Sequence, residues 1–109
     1  MKKIFMTIVF GLMLSISASA GQIYGSLTYK GRPLAKVQFN LKCNGEQYGT
    51  NGWTDDYGAY RISVPNGKCT FTLYYGNPHP TAEVYSSNDP LRYDFELVVE
   101  NGVYKLQRR

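Results

Sequence analysis

The one tryptophan of the chain, Trp53, sits in a glycine-loosened stretch, Tyr48-Gly49-Thr50-Asn51-Gly52-Trp53, and is followed closely by Asp55, Asp56 and Tyr57. Flat aromatic rings beside amide and carboxylate groups suit the binding of a sugar ring or a peptide. The ring face supplies apolar contact, and the polar neighbours supply directed hydrogen bonds. Tyr48, Asn51, Trp53 and Tyr57 are therefore the candidate ligand-binding residues. Trp53 has a second reading, because a β-sandwich commonly buries one tryptophan against its disulfide and Trp53 lies between Cys43 and Cys69. Both readings stay open at the level of sequence.

The remaining reactive groups point away from catalysis. Asp55 and Asp56 offer two carboxylates, whereas calcium takes roughly six to eight oxygens; an acidic pair before a glycine is ordinary turn chemistry. His79, in Asn77-Pro78-His79-Pro80, has no serine or cysteine nucleophile near it in sequence. Two cysteines and one histidine are too few ligands for a zinc site. No catalytic residue, metal or cofactor is assigned.

The elements that position these residues are strands. Period-2 alternation recurs between clusters of Gly, Pro, Asn and Asp, and no stretch after residue 20 sustains a helical period. Strands are expected over Gln22–Tyr29, Ala35–Cys43, Ala59–Val64, Cys69–Tyr75, Ala82–Ser86, Leu91–Glu100 and Val103–Gln107, with Gln47–Thr54 a short edge strand and loop. Gly25 marks a bulge or a close contact within the first. Asn44-Gly45, Pro65-Asn66-Gly67-Lys68 and Asn101-Gly102 are turn signals. Cys43 continues the apolar parity of Val37, Phe39 and Leu41, and Cys69 opens that of Phe71, Leu73 and Tyr75. Both thiols therefore point inward, and a single buried Cys43–Cys69 disulfide across an antiparallel sandwich of seven or eight strands is expected. By the same parity Tyr60, Tyr75 and Tyr93 belong to the core, while Tyr24, Tyr74 and Tyr85 face outward.

The first twenty residues carry Lys2 and Lys3, an apolar run from Ile4 to Ile16, and the small-residue end Ala18-Ser19-Ala20. This matches a secretory signal peptide cut after Ala20, and the run is short of the roughly 20 residues that span a bilayer. No cysteine follows the cut to carry a lipid anchor. The expectation is one domain, Gly21–Arg109, periplasmic or secreted, where a disulfide is stable. Without the leader, basic residues fall from 12 to 10 against 8 acidic ones, a net charge of +2. Interspersed charges of that size give no basic face for nucleic acid.

Three successions carry a resemblance: G-x-x-x-x-K-G-R-P-L-A-K-V-x-F from Gly25 to Phe39, T-D-D-Y-G-A-Y-R-I-S-V-P-N-G-K-C-T-F from Thr54 to Phe71, and V-Y-S-S-N-D-P-L-R-Y-D-F from Val84 to Phe95. Together they resemble the carboxypeptidase regulatory-like domains, and the resemblance implies an all-β, transthyretin/prealbumin-like sandwich, a type often grouped with starch-binding-like sandwiches. It places Gly31 and Pro33 in a first crossover turn, and Asp55, Gly58 and Tyr60 in a tight turn opening the next strand. Such domains are mostly non-catalytic. Some transthyretin-like proteins hydrolyse a purine-derived ring, but their histidine-rich site and Tyr-Arg-Gly-Ser ending have no counterpart here, where the last residues are Tyr104-Lys105-Leu106-Gln107-Arg108-Arg109. The expected function is an exported, non-catalytic module for protein–protein interaction or envelope structure, its partner an envelope or extracellular protein. The alternative is a carbohydrate-binding module built on Trp53 and its neighbouring tyrosines; a hydrolase stands third.

Overall fold

In the computed structural model, residues 20–109 are described, apart from the side chains of Ala20, Thr50 and Asn51. The expected signal peptide therefore lies outside the described residues. So does the side chain of the candidate Asn51.

The rest is a sandwich of two sheets. Ten strand elements follow one another: β1 (Ala20–Tyr29), β2 (Arg32–Pro33), β3 (Gln38–Cys43), β4 (Glu46–Trp53), β5 (Ala59–Pro65), β6 (Gly67–Leu73), β7 (Thr81–Ser86), β8 (Leu91–Arg92), β9 (Phe95–Glu100) and β10 (Val103–Arg108). One sheet has the order β4-β3-β6-β7; in the other, β1 is the hub, bonded to β2, β5, β8 and β9, with β10 beyond β9. Alternate residues of both sheets meet between them. Ile23, Leu27, Leu41, Phe71, Leu73, Val84, Phe95 and Leu97 are almost fully buried there, as period-2 strands with one apolar parity require. Phe71 is ringed by Phe39, Tyr60 and Phe95, with centroids 5.4, 5.1 and 5.5 Å away.

The turns obey their residues. Tyr29↔Arg32, Cys43↔Glu46 and Glu100↔Val103 each close over two residues. Both turn residues have positive φ in Asn44-Gly45 (52°, 83°) and Asn101-Gly102 (53°, 79°). These are the left-handed conformations that a two-residue hairpin matched to strand twist demands.

Four features depart from the expectation. The strand expected over Leu91–Glu100 is divided into β8 and β9, and both run parallel to β1, through Ile23↔Leu91 and Leu27↔Phe95; the sandwich is antiparallel except at this seam. The disulfide does not cross the sandwich. Cys43 and Cys69 are direct partners in the β3–β6 ladder, with Cα atoms 4.4 Å apart, the spacing of a close antiparallel pair. Asn40, on the expected wet face, is only 4% exposed: β4 slips past it, with Phe39 opposite Gly52 but Leu41 opposite Tyr48, and its Nδ2 donates to the Tyr74 hydroxyl at 2.7 Å. Val99 continues an inward parity yet is exposed, because β1 ends at Tyr29↔Leu97 and the β9–β10 hairpin runs on beyond it.

Candidate functional site

The turn after β4 is built around one carboxylate. Asp55 Oδ1 accepts from the backbone amides of Tyr57 (2.8 Å) and Ala59 (2.9 Å), and the Asp55 carbonyl accepts from Gly58 N at 3.1 Å. An aspartate closing its own turn in this way is a local structure encoded by residue type. Gly58 has φ of 76°; its carbonyl accepts from Leu27 N at 2.9 Å, and a side chain there would crowd the Leu27 carbonyl and the Leu34 amide. Two residues on, Tyr60 enters the core and donates its hydroxyl to the Tyr93 carbonyl at 2.6 Å. Burial, reinforced by Asp94 and Tyr93, raises the Tyr60 phenol well above its ordinary value. Asp56 meets Lys36 at 3.3 Å in an exposed pair. The acidic pair thus serves a turn, and among the described residues no group of three or more His, Cys, Asp or Glu is placed to hold a metal.

That turn delivers Trp53 to the surface. Trp53 is 57% exposed, which decides between its two readings in favour of the open one. The disulfide lies elsewhere, against the core. Thr54 fixes the position of its neighbour: it is buried, donates to the Leu34 carbonyl at 2.6 Å, and accepts from Val37 N at 2.9 Å.

Facing Trp53 is a row of three residues from three strands. Tyr24 of β1 is paired with Arg61 of β5 and with Arg92 of β8, so Arg61, Tyr24 and Arg92 lie side by side on the outer face of the hub sheet. The Arg61 guanidinium carbon lies 4.8 Å from the centre of the Tyr24 ring, a cation–π distance, and its Nη1 donates to Gln22 Oε1 at 2.8 Å. Arg92 is held by Asp94, Nε to Oδ2 at 3.0 Å. Asp94 Oδ1 also accepts from the backbone and hydroxyl of Ser26, at 2.9 and 3.2 Å. Partial burial pushes the Asp94 carboxyl upward, but the hydrogen bonds from Arg92 and Ser26 outweigh it and hold the group below its ordinary value. Trp53, Tyr24, Arg61, Arg92 and Asp55 enclose an open groove of about 440 Å³, within the range of small-molecule sites.

The four sequence candidates do not all meet. Trp53 lines the groove. Tyr57 is 79% exposed at the tip of the Asp55 turn and is not among the lining residues. Tyr48 is half-buried and packs against the core, because its place opposite Leu41 turns it inward. Asn51 lies on the slipped segment of β4. Tyr24 faces outward as its strand parity requires, and Arg61 and Arg92 join it. Their strand parity was legible; their meeting depends on the β1 pairings, which join residues far apart in the chain.

His79 lies apart, stacked on Tyr74 with centroids 5.1 Å apart. A second groove beside it, of about 340 Å³, is lined by Pro78, Thr81, Tyr104 and Leu106 among others, with no serine or cysteine.

No family model matches the chain, and no curated protein does. Among solved structures it is similar to a DUF3823 family protein from Parabacteroides merdae, with a TM-score of 0.56 at 19% identity over 77% of this chain. That likeness bears on the fold. The chain spans 50% of that protein's length.

Proposed function

We propose that this chain is an exported, non-catalytic binding module of the carboxypeptidase regulatory-like sandwich type, and that it holds a glycan in the groove between Trp53 and Tyr24. One observation carries the reading. In so small a domain every large ring is valuable to the core, yet the single tryptophan stands open on a groove with a second aromatic and two guanidiniums. Aromatic faces bordered by fixed donors are the means by which a polar, ring-shaped ligand is gripped without much loss of protein entropy. The Cys43–Cys69 disulfide supports an address outside the cytoplasm.

Docking of a partner protein is the competing reading. Other exposed aromatics, Tyr57 and Tyr85, favour it, since tyrosines are common anchors in protein interfaces. Because the chain has one tryptophan, tryptophan emission, excited selectively over the tyrosines, reports on this groove. Titration with a panel of neutral and acidic oligosaccharides is expected to change the emission saturably, and Trp53→Ala is expected to abolish binding measured by calorimetry. A flat response across the panel would defeat the glycan reading.

A further inference from the structure

The two arginines of the groove differ in how their charge is met. Arg92 is paired with Asp94. Among the described residues Arg61 meets the neutral amide oxygen of Gln22 and the face of Tyr24 and takes part in no ion pair. A neutral acceptor and an aromatic ring orient a guanidinium without neutralising it. The stack on Tyr24 limits the ways Arg61 can turn, so its fork is partly organised in advance, and such a fork matches a carboxylate with two parallel hydrogen bonds.

The carboxylate on the groove is fixed by its own turn. Asp55 Oδ1 accepts two backbone amides of its own turn, which holds the carboxylate in place as a fixed acceptor for ligand hydroxyls. The groove therefore has a polarity: an uncompensated cation on the Tyr24 side, an acceptor at the Asp55 turn, and an exposed indole face at Trp53.

Resting on the glycan reading above, we propose that the ligand is an acidic saccharide, with a sugar ring against Trp53, a uronate-type carboxylate on Arg61 and hydroxyls directed toward Asp55. Charge complementarity selects it over a neutral glycan. A single charge-assisted pair of this kind accounts for about tenfold in affinity or more.

The test uses oligogalacturonate and a neutral malto-oligosaccharide of equal length, followed by Trp53 fluorescence at low and high salt. The acidic chain is expected to bind about tenfold more tightly, with the advantage reduced by salt. Arg61→Gln is expected to remove that advantage, and Arg61→Lys to restore part of it. Lys105→Gln, which changes net charge equally but lies in an exposed pair with Glu100, is expected to leave it intact. Equal binding of both sugars, or an advantage that survives Arg61→Gln, would overturn the acidic ligand while leaving a glycan module standing. No response to either sugar would overturn both.

Discussion

Breaking the Cys43–Cys69 bond should remove a large part of this domain's stability without changing its fold. The two residues are 26 apart in sequence. In the chain-entropy model, closing a loop of that length lowers the freedom of the unfolded chain by about 3.5 kcal/mol. Little else should change in the folded state, because the cysteines are the end pair of a ladder that continues through Lys42↔Thr70 and Leu41↔Phe71, and those pairings keep the register without the sulfur link. For a domain of this size each kcal/mol moves the midpoint by roughly 4–8 °C, so the melting temperature should fall by roughly 14–28 °C. Urea and thermal unfolding, followed by circular dichroism, should be compared for the oxidised protein, the reduced protein and the double variant Cys43→Ala/Cys69→Ala. The reduced protein and the double variant should agree, since both lose the same loop. A difference from the oxidised form below about 1 kcal/mol, with native spectra throughout, would refute the entropic account.

Two further outcomes follow from the seam beside β1. A Cβ on Gly25 would run into the Tyr93 carbonyl oxygen, at the point where Tyr93 N donates to the Tyr24 carbonyl at 2.8 Å; Gly25→Ala should cost about 3 kcal/mol, the upper end of overpacking effects, and an unchanged urea midpoint would show that β1 and the β8–β9 link are not in close contact. The lowered Asp94 carboxyl contributes stability that is fully present above its ordinary value of 3.8 and is lost as pH falls through the folded-state value. Asp94→Asn should therefore be less stable at neutral pH and lose less on acidification than the parent, and parallel stability–pH curves from urea melts would contradict this.

Much of the fold was legible because strands announce themselves locally. The alternation of Val37 to Cys43 and of Cys69 to Tyr75 located an inward disulfide, and the Asp55, Gly58 and Tyr60 turn behaves as those residue types dictate. What escaped was non-local. The parallel seam joins Ile23 to Leu91, and Asn40 is buried by a slip of register in a neighbouring strand. The groove shows the same division: Trp53 was picked out by its glycine-rich setting, and Tyr48 by proximity in sequence that the ladder then reversed. Arg61 and Arg92, unremarkable alternating charges in their own strands, acquire meaning only when β1 sets them on either side of Tyr24.

The position of β1 also bears on the order of assembly. Residues 38 to 86 contain every strand of the β4-β3-β6-β7 sheet, including both cysteines, so that sheet can register and lock its sulfur link while later residues are still unpaired. The hub strand precedes its partners in the chain and waits for Pro65 to Ala59 on one flank and for Leu91 to Leu97 on the other. Closing such long loops is slow relative to pairing neighbours. The hub strand is thus enclosed on both flanks only when β9 is in place, and its apolar parity, Ile23 and Leu27, is the surface left to shield in the interval.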